Sequence, residues 1–141
     1  MISTKGRYSI RVLLDLAQHR NGAFIPMKEV ASRQGISLKY IERLMPALKA
    51  AGLVDSVHGI GGGYRLSREP EQYTLWEILE LAEGDLAPVS CLQSDAPVCP
   101  RAGECPTLTV WEGYQKLTRD YFTNITLADL LDVPVGDNYV I

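Results

Sequence analysis

The chain has 141 residues, of which 46% are hydrophobic and 22% charged, and its formal net charge is -3. This length suits one domain, or one small domain with an appendage, and allows a core without disulfide bonds. No apolar run approaches the roughly 20 residues of a membrane span, and the N-terminal segment lacks the apolar core and cleavage site of a signal peptide. We therefore expect a cytoplasmic protein with no membrane partner.

The charge is divided unevenly along the chain. Residues 1–68 contain 11 lysines and arginines against 4 aspartates and glutamates, a net +7, whereas residues 69–141 contain 3 against 13, a net -10. This partition favours a first half that meets a polyanion. A basic face that is only solvated is the alternative.

The first predicted helix spans residues 3–20. Its apolar positions follow the i, i+3, i+4, i+7 spacing of an amphipathic helix and are Ile10, Leu13, Leu14 and Ala17. Lys5, Arg7 and Tyr8 cluster in its first turns, where side chains and free backbone amides suit a phosphate. We therefore predict that this end of the helix contacts a nucleic-acid backbone.

Two further helices form a predicted helix-turn-helix. Pro26 suits the first turn of a short second helix, which ends at Gly35. Ser37 is a good N-cap for a third helix that ends at Gly52, and about three residues join the two helices, a spacing typical of the motif. Pro46 lies inside the third helix, where the lost backbone donor predicts a bend.

The third helix has a polar outer face that suits a recognition helix in the DNA major groove. The residues of this face are Ser37, Lys39, Tyr40, Glu42 and Arg43. Arg43 matches guanine O6 and N7 in a bidentate pair, and Glu42 can accept from a cytosine amino group. A solvated helix face is the alternative, but the basic first half of the chain favours DNA.

A predicted β-hairpin follows over residues 53–67, where two β-prone runs flank a glycine-rich turn. We interpret it as a wing that contacts the DNA backbone or minor groove. The predicted contact residues are His58, Gly59, Gly61, Gly62, Gly63 and Tyr64. A nucleotide-binding loop is disfavoured because no Gly-Lys-Ser/Thr follows and the next element is a strand. A plain hairpin turn is the alternative.

The second half contains three more predicted helices and a long loop. Thr74 opens the fourth helix, with Glu77 placed for a capping box. The loop over residues 84–106 holds all three cysteines, and such a length is uncommon unless the loop is functional. The fifth helix, over about residues 107–122, has an apolar face with Trp111 beside it, and the residues of the face are Val110, Tyr114, Leu117 and Tyr121. Thr126 begins a short sixth helix whose predicted inward residues are Leu127, Leu130 and Leu131.

Cys91, Cys99 and Cys105 are an odd number of cysteines, which argues against a disulfide framework in a reducing compartment. Their spacing lacks the paired C-x2-C of zinc ribbons, and a structural zinc usually takes four ligands. Iron–sulfur clusters are held by thiolates and accept a fourth ligand of another type. We therefore interpret the cysteines as cluster ligands, with three unrelated thiols or a thiol switch as alternatives.

The predicted fold class is mainly α with a small β-hairpin, a winged helix-turn-helix followed by a long C-terminal dimerisation helix. The predicted organisation is a winged helix-turn-helix DNA-binding domain over residues 1–83, a cysteine-containing sensor loop over 84–106, a dimerisation helix with a short docking helix over 107–132, and a tail over 133–141. No HExxH, nucleophile elbow or phosphate loop is present, so an enzyme is disfavoured.

Five segments resemble the IscR-type family of winged helix-turn-helix regulators. They are Ser3-Thr-Lys-Gly-Arg-Tyr8, Gln34-Gly-Ile-Ser-Leu-Lys-Tyr40, Gly52-Leu-Val54, Gly59-Ile-Gly-Gly-Gly-Tyr64 and Asn124-Ile-Thr-Leu-Ala-Asp129. The resemblance covers about residues 2–132. It implies a homodimer with crossed long helices, a palindromic operator in double-stranded DNA, and a 2Fe-2S cluster on the cysteine loop that changes which promoters are bound. We expect the dimer to pair through the apolar face of the fifth helix.

The sequence departs from the family pattern at two positions. Leu108 stands where the iron–sulfur assembly branch has a histidine, so the fourth cluster ligand is unidentified. A residue of the partner subunit is one candidate, and the local oxygen candidates are Glu104, Thr107, Thr109 and Glu112. His58 stands where the family often has an arginine that reaches the minor groove, so we expect a weaker or pH-sensitive contact.

The resemblance also includes a branch that regulates cysteine metabolism, the CymR type, which shares the scaffold without a cluster. The tail segment Tyr139-Val-Ile141 resembles that branch, whereas the three cysteines point to the cluster-binding branch. The alternative function is therefore a cluster-free repressor of sulfur metabolism that responds to thiol redox state or to a metabolite.

Overall fold

The computed structural model describes residues 1–134, and the Tyr139–Ile141 segment compared above lies outside them. The elements in chain order are α1 (Thr4–Gln18), α2 (Met27–Gln34), α3 (Leu38–Ala50), β1 (Val54–Val57), β2 (Gly63–Leu66), α4 (Leu75–Glu83), α5 (Leu108–Thr123) and α6 (Leu127–Leu131). Short 3-10 turns lie at Pro70–Gln72 and Ser90–Leu92. The predicted fold class, mainly helical with one antiparallel hairpin, is confirmed. Within residues 1–134 no helix is long and apolar enough to cross a membrane.

Local signals place the helix boundaries close to where the sequence predicts them. At the start of four helices the side-chain hydroxyl of the N-cap residue accepts a backbone N–H. These residues are Ser3, Ser37, Thr74 and Thr126. Gly35 ends α2 in the left-handed conformation at φ 63°, which favours glycine. Three residues therefore separate α2 from α3, which is the predicted helix-turn-helix spacing.

Two local predictions for the second half are wrong. Thr74 caps α4 through the N–H of Glu77, but the Glu77 carboxylate pairs with Arg68 Nη1 at 2.9 Å instead of completing a capping box. The ion pair with Arg68 satisfies this carboxylate in place of the backbone. In α6, Leu131 is exposed rather than inward, because it is the last residue of the five-residue helix and lies one turn beyond the buried Leu127.

The helix α3 runs without a break through Pro46 to Ala50, so the proline does not end the recognition helix. Pro46 is exposed, which lets water satisfy the carbonyl that lost its backbone donor.

The helix α1 is the centre of the core. It contacts α2, α3, α4, α6 and β2, and its Val12, Leu13 and Leu16 are almost fully buried. Leu127 of α6 is also fully buried, so the last helix docks back onto the first domain. By contrast, α5 and the described loop over residues 84–106 contribute no fully buried residue.

One acidic side chain lies inside this core. The carboxylate of Asp15 is fully buried and accepts hydrogen bonds from Arg33 Nη2 at 2.7 Å and Gln34 Nε2 at 2.8 Å. A buried carboxylate is tolerated when it is paired and hydrogen-bonded. The same hydrogen bond raises the pKa of Arg33 above its ordinary value. The network ties the last turn of α1 to the last turn of α2, directly before the helix-turn-helix turn.

Candidate functional site

The helix α3 presents most of the predicted recognition residues at the surface. The exposed ones are Ser37, Lys39, Glu42 and Arg43. The Ser37 hydroxyl accepts the N–H of Tyr40 at 3.1 Å, so its oxygen already caps the helix. Tyr40 is half-buried and packs edge to face against Tyr8 of α1, with 5.5 Å between the ring centroids. The two predicted tyrosine contacts therefore also join α1 to α3.

The first turn of α1 is already occupied by a carboxylate. Glu83 Oε1, at the end of α4, accepts the N–H of Ser3 at 2.8 Å and the Ser3 hydroxyl at 2.7 Å. The Ser3 hydroxyl in turn accepts the N–H of Gly6 at 3.3 Å. The prediction that backbone amides in this turn are free to bind a phosphate is therefore wrong at Ser3 and Gly6. The hydrogen bonds from Ser3 also lower the pKa of Glu83. The side chains of Lys5 and Arg7 remain exposed beside this turn.

Arg11 is a further exposed cation beside the recognition helix that sequence reasoning missed. Its guanidinium lies 5.2 Å from the centre of the Tyr8 ring and its Nε donates to Gln34 Oε1 at 3.1 Å. Arg11 thus links α1 to the helix-turn-helix turn. Helical spacing could have found it, because Arg11 follows Arg7 by four residues and so shares its face.

The predicted wing forms from β1 and β2, which pair antiparallel from Val54 opposite Leu66 to Val57 opposite Gly63. Residues 58–62 make the tip, where the side chain of Ile60 is fully exposed. Gly59 and Gly61 have positive φ angles, so the turn itself favours glycine at these positions. Their contact with DNA stays a prediction.

Gly63 and Tyr64 belong to the strand β2 rather than to the wing tip. Tyr64 pairs with Ile25, whose N–H donates to the Tyr64 carbonyl at 2.8 Å and whose carbonyl accepts the Tyr64 N–H at 2.9 Å. A Cβ at position 63 would lie 2.1 Å from the Ile25 carbonyl oxygen. Glycine is therefore required there by a close backbone approach, independently of DNA.

Gly63→Ala is expected to lower the free energy of unfolding by about 2 kcal/mol, because backbone atoms on both sides must move apart. The matched control is Gly103→Ala, since a Cβ at that position meets no heavy atom within 4 Å. We expect the control to change stability by less than about 0.5 kcal/mol. Urea unfolding of both variants measures the difference, and equal midpoints would contradict the close approach.

The cysteine loop follows α4 directly. Cys91 is exposed, Cys99 and Cys105 are half-buried, and all three are free thiols. The Sγ of Cys105 lies 3.4 Å from Thr107 Oγ1, and this hydrogen bond lowers the pKa of the Cys105 thiol. Across residues 1–134, however, no group of three or more His, Cys, Asp or Glu is arranged to hold a metal ion. The described conformation therefore does not gather the three thiols.

The long helix α5 exposes its apolar face to solvent in the single chain. The exposed fractions are 73% for Leu117, 63% for Tyr121 and 56% for Val110. Tyr114 and Trp111 belong to the same exposed set and also line a cleft of about 660 Å³ between α4, α5, residues 85–88 and the first two residues of the chain. Val110, Tyr114, Leu117 and Tyr121 are thus each more than half exposed, while Trp111 beside them is 38% exposed.

Residues 2–133 match the protein-family model described as "Rrf2: Iron-dependent Transcriptional regulator". The chain belongs to the Rrf2 family. A relative within this family, "Protein rrf2" of Nitratidesulfovibrio vulgaris, is 38% identical over 130 residues, which cover 92% of this chain and 86% of the relative.

Two solved structures show the Rrf2 fold at similar lengths. CymR, described as the global cysteine regulator of B. subtilis, matches with a TM-score of 0.73 and 32% identity over 92% of this chain and 95% of its own. IscR of T. potens matches with a TM-score of 0.72 and 37% identity over 96% of this chain and 93% of its own. The resemblance to IscR-type regulators is therefore confirmed, and the protein is an Rrf2-family transcriptional regulator.

Proposed function

We propose that the protein is a DNA-binding transcriptional regulator that acts as a homodimer on a palindromic operator and senses iron–sulfur cluster or redox status. The observation that carries the DNA-binding part is the exposed polar face of α3, which lies in a helix-turn-helix beside a wing. It lies in the half of the chain with 11 lysines and arginines against 4 acidic residues. The same charge excess favours phosphate binding.

Each part of this surface has a separate role in the proposed complex. Glu42 and Arg43 face base edges in the major groove, because they are exposed in the first turns of α3. Lys5 and Arg7 contact phosphates through their side chains, since the Ser3 N–H is bound by Glu83 and the Gly6 N–H by the Ser3 hydroxyl. The wing tip at His58 reaches the backbone or minor groove.

Arg43→Ala is expected to weaken operator binding by about 1–3 kcal/mol and to relax sequence preference at one base step. Footprinting of the protein's own promoter locates the operator, and fluorescence anisotropy on a panel of single-base variants measures the preference. Lys5→Ala is the control, because loss of a phosphate contact weakens all sequences alike. Uniform weakening by Arg43→Ala would show that Arg43 contacts only phosphate.

The homodimer is supported by the exposed apolar face of α5. Val110, Tyr114, Leu117 and Tyr121 are spaced by four, three and four residues, which places them on one side of a helix. An exposed apolar patch of this kind is typical of an interaction surface. A second copy presents the same face, so two α5 helices bury it in one symmetric contact. Such a dimer sets two recognition helices about one DNA turn, or roughly 34–36 Å, apart.

For the sensor we propose that Cys91, Cys99 and Cys105 ligate a 2Fe-2S cluster. The donor set fits, because thiolates are the usual ligands of iron–sulfur clusters and all three thiols are free. The lowered pKa of Cys105 favours the thiolate form that binds metal. The thiols are apart in the described conformation, so ligation requires the loop to rearrange. When bound, the cluster supplies a redox- and iron-dependent state to the loop.

The loop is joined to α5 at two points, which is how its rearrangement would reach the DNA-binding surface. Pro106 and Thr107 alone separate Cys105 from the start of α5, and Gln115 Nε2 of α5 donates to the Leu92 carbonyl at 3.4 Å. Leu108 offers no ligand atom, whereas the Thr107 oxygen already lies beside Cys105. Coupling between a sensor and a binding site is typically 1–3 kcal/mol.

A cluster-free thiol or metabolite sensor is the second candidate function. It is favoured by the separated thiols of residues 84–106 and by the structural similarity to CymR. Iron and acid-labile sulfide analysis of anaerobically purified protein distinguishes the two functions. Cytoplasmic location and the absence of an enzymatic activity are part of both proposals.

A further inference from the structure

Tyr73 has a polar group in the middle of the core. It is the largest fully buried side chain among the described residues, and it lies between the Pro70–Gln72 turn and α4. Its hydroxyl donates to the Leu53 carbonyl at 2.6 Å. The same oxygen accepts the N–H groups of Ser67 at 3.1 Å and Arg68 at 3.2 Å. A tyrosine hydroxyl has one donor and two acceptor positions, so all of its capacity is used.

The three partners of this hydroxyl lie at the two ends of the wing hairpin, which we call the wing roots. Leu53 directly precedes β1, and Ser67 and Arg68 directly follow β2. The direct backbone hydrogen bond between the roots, from Ser67 N–H to the Leu53 carbonyl, is long at 3.4 Å. The Ser67 hydroxyl also donates to the Gly52 carbonyl at 2.5 Å beside the same junction. The Tyr73 hydroxyl joins Leu53, Ser67 and Arg68 at one atom, and its loss would leave the Arg68 N–H without this partner.

The backbone of Tyr73 holds the same junction to the rest of the molecule. Its carbonyl accepts the N–H of Leu127 at 3.1 Å, and the neighbouring Leu75 N–H donates to the Ile125 carbonyl at 2.9 Å. The guanidinium of Arg68 lies 5.5 Å from the centre of the Tyr73 ring and pairs with Glu77 of α4. Tyr73 thus contacts the wing roots through its hydroxyl and α6 through its carbonyl, and the Arg68–Glu77 ion pair adds a second link to α4.

We propose that Tyr73 is a positioning residue for DNA binding that acts through the wing; this rests on the proposed DNA-binding function. A hairpin with four residues in each strand is marginally stable by itself, so its direction depends on what holds it. Ile25 holds β2 at Tyr64, and the Tyr73 hydroxyl holds the roots. With the hydroxyl removed, the tip over residues 58–62 loses its fixed orientation relative to α3.

The test compares a wing-tip change and a recognition-helix change in two backgrounds. Ile60→Glu puts a negative charge on a fully exposed tip side chain, so it repels phosphate without affecting the core. We expect Tyr73→Phe to weaken operator binding about tenfold, and Ile60→Glu to weaken it about tenfold in the wild type but about twofold in Tyr73→Phe. Arg43→Ala is expected to have the same effect in both backgrounds, because the part of α3 that carries Arg43 is held by its own buried residues Ile41, Leu44 and Met45.

Ile78→Val is the control for a general loss of stability. Ile78 is fully buried in α4 but does not touch the wing roots through a hydrogen bond. In this background Ile60→Glu should keep its full effect. An equal effect of Ile60→Glu in the wild type and in Tyr73→Phe would overturn the role of Tyr73, as would an Ile78→Val background that reduces it as much.

Failure of the proposed function is distinguishable from failure of this inference. A wild type that binds no promoter DNA refutes the function alone, and hydrogen exchange then tests Tyr73 directly. In Tyr73→Phe, backbone amides of Asp55 and Arg65 in the wing strands should exchange about tenfold faster or more, while those of Leu13 and Leu16 in α1 change less. Uniform acceleration across the chain would show that Tyr73 only stabilises the core.

Discussion

Leu117→Glu is expected to convert the protein into a monomer and to weaken operator binding about 100-fold or more. Leu117 is 73% exposed in the single chain, so the substitution costs the single chain little. In the proposed dimer it would bring two unpaired carboxylates into an apolar contact, which costs several kcal/mol. A monomer also loses the gain of binding two half-sites at once, which reaches about 10²–10⁴.

The measurements are sedimentation equilibrium and fluorescence anisotropy on the full operator and on a single half-site. Thr123→Glu is the matched control, because Thr123 is exposed on the same helix and lies on the opposite side from Leu117 and Tyr121. The control should remain dimeric and bind normally. A Leu117→Glu protein that sediments as a dimer would refute the proposed interface.

Replacing Cys91, Cys99 and Cys105 together by alanine is expected to abolish the visible absorption, the bound iron and the acid-labile sulfide of anaerobically purified protein. In the wild type, removal of the cluster should change operator affinity about 5- to 150-fold, the range of typical coupling energies. In the triple variant this difference should disappear. The physical reason is that the loop has no other thiolates among its residues 84–106.

The triple variant should keep the thermal midpoint of the metal-free wild type, because none of the three cysteines is fully buried. This comparison separates loss of a cofactor from loss of the fold. Retained absorption in the triple variant would exclude these cysteines as ligands. A wild type without iron or sulfide, but with operator binding that responds to thiol oxidants, would support the cluster-free alternative.

The parts of the fold that could be predicted depend on local chemistry. Ser37 and Gly35 mark the start of α3 and the end of α2 because a hydroxyl cap and a left-handed glycine act within one turn. The wing was predictable for the same reason, since its glycine-rich turn separates two short β-prone runs. The apolar face of α5 followed from helical spacing, and its exposure is what the structure adds.

The parts that could not be predicted depend on contacts between distant segments. Asp15 pairs with Arg33 across 18 residues, and the Tyr73 hydroxyl reaches Leu53 across 20. Glu83 binds the N-cap of α1 from 80 residues away. Because no local pattern indicates this contact, the sequence predicted free backbone amides in the first turn of α1. A sequence pattern shows which polar residues are present, but the partner of a buried one is set by packing.

Membership of the Rrf2 family could be anticipated from five short segments, and the family match over residues 2–133 confirms it. The sensor site was less accessible to such reasoning. Cysteine spacing identifies soft ligands but not their arrangement, and in the described loop the thiols are not grouped. The loop has no buried residue to hold one conformation, so composition alone does not determine its geometry.

The helix α5 buries none of its 16 residues within its own chain. In the proposed dimer the partner subunit stabilises this helix. Because association depends on concentration, the apparent stability of the protein rises with its concentration. The number of molecules in a cell then acts as a signal of its own. Below the dimer dissociation constant, the regulator stays off its operator whatever the state of its cysteines.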